Sequence, residues 1–148
     1  MITFLPAELP ADRALIAEMD SICFPIDAPP DIDSARWLIG REGPIPAAYC
    51  AWKPVEHDGI NVGFHYRAGV LPAFRGQHLQ RQMIRLREQA MRAAGLTAAV
   101  SYTDADAAAS MRNLIAEGYR PYAPTPSTTL SGIGRLGRVG FVHWRKNL

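Results

Sequence analysis

The sequence predicts an α/β domain with a mixed, mostly antiparallel sheet flanked by about four helices. Its 148 residues, 48% hydrophobic and 20% charged, have the size and composition of one globular domain. Helical and strand patterns alternate along the chain, and two strand-helix units stand between elements that we expect to be antiparallel. We therefore expect residues 1–148 to form a single domain with one core.

Four segments have helical patterns, and the longest covers residues 77–94. Apolar side chains recur there at steps of three and four, from Leu79 to Met91. Gly95 follows, as is typical of a helix end. The other predicted helices are residues 11–23, which Pro25 stops, a short helix that Asp31 or Asp33 caps and that runs through Trp37 to Gly40, and residues 107–117 before Gly118.

Strand patterns occupy much of the remaining chain. Residues 60–71 place Val62, Phe64 and Tyr66 on one face by alternation, and Pro72 ends the run. A literal G-x-G-x-x-G at residues 132–137 is interpreted as a loop, because a strand pattern follows it where a dinucleotide site needs a helix. The other predicted strands are residues 47–52, 97–102, 119–122 and 139–144.

Charge is unevenly distributed, although the formal net charge is only +2. Residues 1–60 hold ten acidic and four basic side chains, and residues 61–148 hold twelve basic and four acidic ones. The basic half favours an anionic partner such as phosphate, nucleic acid or a membrane. Membrane and secretory signals are not found, so we expect a cytoplasmic protein. Cys23 and Cys50 lack the spacing of a zinc site, and we expect no metal.

The most informative segment is the junction between the predicted strand 60–71 and the predicted helix 77–94. A helix start exposes unpaired N–H groups and carries a partial positive charge. Gly76 lets the backbone approach a ligand closely, and Arg75 adds a charged donor fork beside it. Strand, turn and helix together predict a binding site for an anion.

At this junction the chain resembles the GCN5-related N-acetyltransferases (GNAT), and the similarity covers nearly the whole sequence. Members of this family bind acyl-coenzyme A through a strand, an R-x-x-G-x-G/A pyrophosphate loop and a long helix. The chain matches the loop at Arg75 and Gly76, but His78 and Gln80 stand where the family has small residues. Further matches are Val70-Leu71-Pro72, Ala93-Ala94-Gly95 and Ala109-Ser110 with the helix ending Gly118-Tyr119.

The resemblance implies an N-acyltransferase that moves an acetyl group from acetyl-CoA to a primary amine without a metal. It implies that Val70 and Leu71 offer backbone groups to the pantetheine arm, and that Asn113 is a polar contact to the coenzyme. The resemblance also implies that six residues surround the pyrophosphate: Arg75, Gly76, Gln77, His78, Leu79 and Gln80.

Amide formation from a thioester needs a base, an oxyanion donor and a proton for the leaving thiolate. His65 is our candidate base, because it lies on the strand that leads into Val70-Leu71. A backbone N–H near Leu71 is the candidate oxyanion donor. The family's usual acid, a tyrosine, is replaced by Leu114, so Tyr122 is our candidate donor, with Tyr102 and solvent as alternatives.

The acceptor is not identified by the sequence. The resemblance implies an acceptor site between the acidic loop Ile26–Asp33 and the region Pro124–Gly137, where Asp27, Asp31 and Asp33 favour a cationic amine. The alternative is a catalytically degenerate GNAT fold that binds acyl-CoA or a protein partner without turnover. The many arginines of the second half make nucleic acid a weaker alternative, since no recognition motif accompanies them. The sequence is compatible with a homodimer as well as with a monomer.

Overall fold

One mixed sheet of seven strands organises residues 1–125 and 136–148, the part of the chain that the computed structural model describes. The strand order is β1-β2-β3-β4-β5-β7-β6. Every neighbouring pair is antiparallel except β4 and β5, which are parallel. The strands are β1 (Thr3–Pro6), β2 (Arg36–Glu42), β3 (Ile45–His57), β4 (Ile60–Val70), β5 (Ala98–Asp104), β6 (Arg120–Tyr122) and β7 (Phe141–Asn147).

Three α-helices, rather than about four, cover this sheet within the described residues. They are α1 (Arg13–Cys23), α2 (Leu79–Ala93) and α3 (Ala108–Ala116). Ile16 and Met19 of α1 pack with Trp37 and Tyr49 on one face. On the other face, α2 and α3 pack against the sheet through a cluster of buried side chains, which includes Trp52, Ile84, Met91, Leu114 and Trp144. None of the described helices is long and apolar enough to cross a membrane.

The predicted second helix is wrong. Only Ile32–Ser34 forms a single turn of 3-10 helix, and β2 begins at Arg36. Trp37 and Ile39 are buried in the core under α1, as alternate residues of a strand would be. Pairing with strands on both sides satisfies the backbone of β2, and this tertiary context overrides the capping pattern at Asp31 and Asp33.

Strand β1 was not predicted, because only four residues form it and most of them are exposed. It pairs with β2 at the edge of the sheet, where Phe4 faces Gly40. A Cβ at Gly40 would lie 2.6 Å from the Phe4 ring. Gly40 is therefore needed for close strand packing and does not end a helix.

Helix α1 is tied to the sheet by a buried ionic cluster. The Asp20 carboxylate accepts two hydrogen bonds from the Arg67 guanidinium, each 2.8 Å long, and a third of 2.7 Å from the Tyr49 hydroxyl. Asp20 is 3% exposed, so its charge depends on these partners for stabilisation. The cluster joins α1, β3 and β4, and it fixes the end of α1 beside the second half of β4.

We predict that Asp20→Asn destabilises the protein by about 3 kcal/mol, because breaking a buried ion pair leaves the Arg67 charge without its partner. The matched control is Asp33→Asn, which breaks the exposed Arg13–Asp33 pair and should cost less than about 1 kcal/mol. Urea unfolding measures both free energies. Equal losses in the two variants would contradict a structural role for the buried cluster.

Candidate functional site

The site begins where β4 and β5 separate. The two strands pair only at Gly63–Ala99 and Phe64–Val100. Beyond Phe64, β4 continues to Val70 and β5 continues to Asp104 without pairing to each other. Backbone groups on the facing edges of both strands therefore lack strand partners, and a cleft opens between them.

A β-bulge in β4 marks the point of separation. Ala51 of β3 faces Arg67, whereas the next residue, Trp52, faces His65, so Tyr66 is an extra residue in β4. Tyr66 and Arg67 both lie on the α1 face as a result: Tyr66 packs edge-on against Trp37, and Arg67 binds Asp20 of α1. His65 stays on the opposite face. The bulge thus places different chemistry on the two sides of the cleft.

The strand end of β4 presents backbone groups to the cleft. Leu71 N–H donates to the Ala47 carbonyl over 2.8 Å, so this group is already used. Because hydrogen-bonded and non-hydrogen-bonded pairs alternate in an antiparallel ladder, the N–H and C=O groups of Ala68 and Val70 point away from β3. Of the two predicted pantetheine contacts, Val70 therefore faces the cleft, and the Leu71 N–H does not.

The loop after β4 leads into α2 through two left-handed residues. Gly76 has φ +84° and His78 has φ +58°. Histidine is one of the few side chains that tolerate this region, which explains how His78 stands at a position where the GNAT family has glycine. His78 is exposed and caps α2 without a side-chain hydrogen bond, so the first N–H groups of α2 keep their capacity to bind an anion.

A cavity of about 500 Å³ lies between this loop, α2, α3 and the end of β4. It will be called the β4–α2 cavity. Leu71 and Gln77 do not line it. The predicted coenzyme residues that do line it are Val70, Arg75, Gly76, His78, Leu79, Gln80 and Asn113.

Two side chains of this cavity are held by neighbours. Arg75 Nε donates to the Val70 carbonyl over 3.0 Å, which fixes the loop against the strand end. Asn113 Oδ1 accepts from Arg81 Nε at 3.0 Å, which connects α3 to the first turn of α2. Both contacts keep polar groups at the wall of the cavity.

A second cavity, of about 290 Å³, lies where β4 and β5 separate and will be called the β4–β5 cavity. His65 lines it, together with Tyr66 and Arg67 from the bulge. The two cavities adjoin each other, because they share the lining residues Phe24, Ala68, Gln80, Ser110 and Asn113. Together they extend from the start of α2 to His65, and below they are called the cleft.

His65 is buried at 7% exposure, and its environment keeps the ring neutral. Burial, reinforced by the positive charges of Arg87 and Lys146, holds the pKa of His65 well below its usual range. The Nε2 atom lies 2.6 Å from the Tyr119 hydroxyl oxygen. The Nδ1 atom is buried and has no hydrogen-bond partner among the described residues.

Tyr122, the predicted proton donor, lies elsewhere. Its hydroxyl is 2.6 Å from His57 Nε2, and its ring packs edge-on against His143. Burial raises the pKa of Tyr122. Tyr122 lines neither cavity, so the structure does not bring it together with His65.

The acidic residues of the predicted acceptor region separate into two groups. Asp27 lines the β4–β5 cavity, and so does Asp104 at the end of β5, which the sequence reasoning missed. Asp33 pairs with Arg13, and Asp31 does not line the cavity. Residues 126–135, which hold most of Pro124–Gly137 and of the G-x-G-x-x-G segment, lie outside the described residues.

Other lining residues were also missed by the sequence reasoning. Cys23 is the last residue of α1 and Phe24 follows it, and the ionic cluster at Asp20 brings both to the cleft. No local pattern marks them, because a long-range contact places them there. The sequence did contain a signal for Ser110, because the resemblance to the GNAT family includes Ala109-Ser110. In the described ranges, no cluster of His, Cys, Asp or Glu is arranged to hold a metal ion.

Solved structures with the same architecture include acetyltransferases. The ribosomal-protein-S18-alanine N-acetyltransferase of Escherichia coli has a TM-score of 0.73 at 14% identity, over 99% of this chain and 94% of that one. An acetyltransferase of the GNAT family from Streptococcus pneumoniae has a TM-score of 0.73 at 12% identity, over 100% of both chains. This chain has the GNAT fold.

A third solved structure with the GNAT fold carries a ligand. It is the Bacillus subtilis acetyltransferase in complex with CoA, with a TM-score of 0.75 at 11% identity, over 100% of this chain and 99% of that one. No protein-family model and no curated protein sequence matches the chain. The GNAT fold assignment rests on these structures and on the separated β4 and β5.

We predict that Gly76→Ala weakens acetyl-CoA binding about tenfold, which corresponds to about 1.4 kcal/mol. A Cβ at Gly76 would meet no atom within 4 Å, so the loss of affinity comes from strain in the left-handed backbone that alanine would have to adopt in the loop. Gly95→Ala is the matched control, because Gly95 has nearly the same φ of +83° and equally open surroundings, and it lies outside both cavities. Calorimetric titration measures both affinities. Equal affinities in the two variants would contradict a binding role for the loop.

Proposed function

We propose that residues 1–148 form a single N-acyltransferase domain that transfers an acetyl group from acetyl-CoA to a primary amine by direct attack. The observation that carries this proposal is the pair of adjoining cavities that extends from the start of α2 to His65. One end of the cleft suits a phosphate group, and the other end has a neutral, buried histidine. Solved structures with the same fold include acetyltransferases with CoA bound, which supports acetyl-CoA as the donor.

The lining of the β4–α2 cavity supports a coenzyme site there. Its positive helix end and left-handed loop suit a pyrophosphate, and His78 does not obstruct this role, because backbone N–H groups make such contacts. The edge of β4 at Ala68 and Val70 suits the amide groups of the pantetheine arm, which would add to the sheet as a strand would. Acetyl-CoA would supply the activated acetyl group at the β4–β5 end.

The residues of the cleft suggest a route for the transfer. The neutral amine attacks the thioester carbonyl, and an unpaired backbone N–H on the cleft edge of β4 stabilises the oxyanion, since the Leu71 N–H already donates to the Ala47 carbonyl. As the new C–N bond forms, the amine nitrogen becomes much more acidic and gives its proton to His65. The C–S bond then breaks, and solvent protonates the thiolate. Tyr122 stays the alternative donor, and a tenfold loss of rate in Tyr122→Phe would support it.

The β4–β5 cavity favours a cationic acceptor. Asp27 and Asp104 supply carboxylates to its wall and Phe141 adds an aromatic ring, whereas the rings of Phe24 and Tyr66 already have Arg67 and Lys53 over them. Carboxylates attract an ammonium group electrostatically, and aromatic faces attract it through their quadrupoles. We infer an acceptor with a second positive charge near its reacting amine, such as a diamine or a peptide N-terminus beside a basic side chain.

The alternative is a degenerate GNAT fold that binds acyl-CoA without turnover. Leu114, which replaces the family's tyrosine, is buried in the core and offers no proton donor. His78 and Gln80 replace small residues in the loop. These differences from the family concern the proton donor and the pyrophosphate loop. The candidate base His65 and the unpaired edge of β4 are still present.

Calorimetric titration with acetyl-CoA, followed by thiol release over a panel of amines, tests the proposal. We expect binding of acetyl-CoA and thiol release that is faster with diamines than with monoamines of similar size. Binding without release on any amine would favour the degenerate fold. If acetyl-CoA does not bind, the proposal fails.

We predict that kcat/KM rises with pH in step with the fraction of free amine and shows no inflection near pH 6.5. The pKa of His65 lies well below 6.5, so this base is already deprotonated across neutral pH. His65→Ala should lower kcat about 100-fold, the size of a typical general-base contribution. A pH–rate profile of both proteins measures these effects. An inflection at the ordinary pKa of histidine would contradict a buried, neutral base.

A further inference from the structure

A chain of buried hydrogen bonds reaches His65 from behind the cleft. Tyr119, which lies between α3 and β6 and is fully buried, donates its hydroxyl hydrogen to Glu88 Oε2 of α2 over 2.7 Å. The same hydroxyl oxygen lies 2.6 Å from His65 Nε2. The other oxygen of Glu88 accepts from Lys146 Nζ at 2.9 Å. These four side chains come from β4, α2, β7 and the turn after α3.

The direction of these hydrogen bonds determines where the imidazole carries its proton. The carboxylate of Glu88, paired with Lys146, is an acceptor only, so the Tyr119 hydroxyl must donate to it. A hydroxyl has one hydrogen, and therefore its oxygen can only accept from His65. Nε2 must carry the hydrogen, and Nδ1 of the neutral ring keeps its lone pair.

The unpaired Nδ1 atom is the second observation. An unsatisfied polar atom in a protein interior costs about 1–3 kcal/mol, and few are retained without a reason. His65 lines the β4–β5 cavity, and its Nδ1 is the one buried side-chain polar atom without a partner in the described part of the chain. A proton acceptor at this place suits an amine, directly or through one water molecule.

We propose that Tyr119 and Glu88 are positioning residues that hold His65 in the Nε2–H tautomer and so reserve Nδ1 as the proton acceptor for the amine. This inference rests on the proposed function. When Nδ1 receives the proton of the attacking amine, the imidazolium charge is stabilised through the Tyr119 hydroxyl by the Glu88 carboxylate. Arg87 and Lys146 oppose that charge, which keeps the ring neutral until the proton arrives.

Tyr119→Phe tests the proposal, and Tyr49→Phe is the matched control. Both tyrosines are fully buried and donate to a carboxylate over 2.7 Å, but Tyr49 bonds to Asp20 and has no contact with His65. We expect Tyr119→Phe to lower kcat 10- to 100-fold with unchanged affinity for acetyl-CoA. Tyr49→Phe should stay within about threefold of the wild-type kcat.

The ¹⁵N chemical shifts of the His65 ring give a readout that does not depend on activity. We expect the neutral Nε2–H tautomer in the wild type and in Tyr49→Phe, and a loss of this single tautomer in Tyr119→Phe. Glu88→Gln, whose amide oxygen can still accept from Tyr119, should retain the tautomer better than Tyr119→Phe does. The His65 signals are assigned by their absence in His65→Gln.

Two results would overturn the inference. One is a wild-type ring that carries its proton on Nδ1, or on both nitrogens, at neutral pH. The other is a Tyr119→Phe protein that keeps the tautomer and the wild-type kcat. A wild type that releases no thiol with any amine would instead overturn the proposed function, and the ¹⁵N shifts would still decide whether Tyr119 and Glu88 determine the tautomer.

Discussion

The loss of pairing between β4 and β5 after Phe64 and Val100 is the constraint on which the rest of the site depends. A parallel pair that continued to the strand ends would close the cleft and cover the edge of β4. Separation instead leaves the backbone groups of Ala68 and Val70 without a strand partner on the β5 side, although Arg75 binds the Val70 carbonyl, and it brings His65 to a cavity wall. The bulge at Tyr66 reinforces this effect, because it changes the face to which the following residues belong.

Local sequence patterns predicted the parts of the site that one segment of chain contains. The strand, the turn at Arg75-Gly76 and the helix after it follow each other directly, and β4 and α2 have clear periodicities. The same patterns failed at Arg36–Glu42, where capping residues precede a strand whose pairing partners lie elsewhere in the chain. The contribution of Phe24, Asp104 and Tyr119 to the site needs contacts between distant segments, which no local pattern contains.

Part of the acidic charge in the first half of the sequence is neutralised by ion pairs within the fold. Several acidic residues of the first half are paired within the fold, such as Asp12 with Arg41, Asp20 with Arg67 and Asp33 with Arg13. Asp27 is left at the cleft, and Asp104 joins it from β5. The charged groups that line the cleft are therefore these two carboxylates with Arg67 and Arg87 at one end, and the start of α2 at the other.

A crystal structure with acetyl-CoA bound would show where the coenzyme lies in the cleft. We predict that the pyrophosphate lies at the first turn of α2 beside Gly76 and His78. We also predict that the pantetheine arm runs along Ala68 and Val70, and that the thioester lies between β4 and β5 near His65. A coenzyme bound away from the edge of β4, or a cleft that stays empty at saturating acetyl-CoA, would contradict the proposed site.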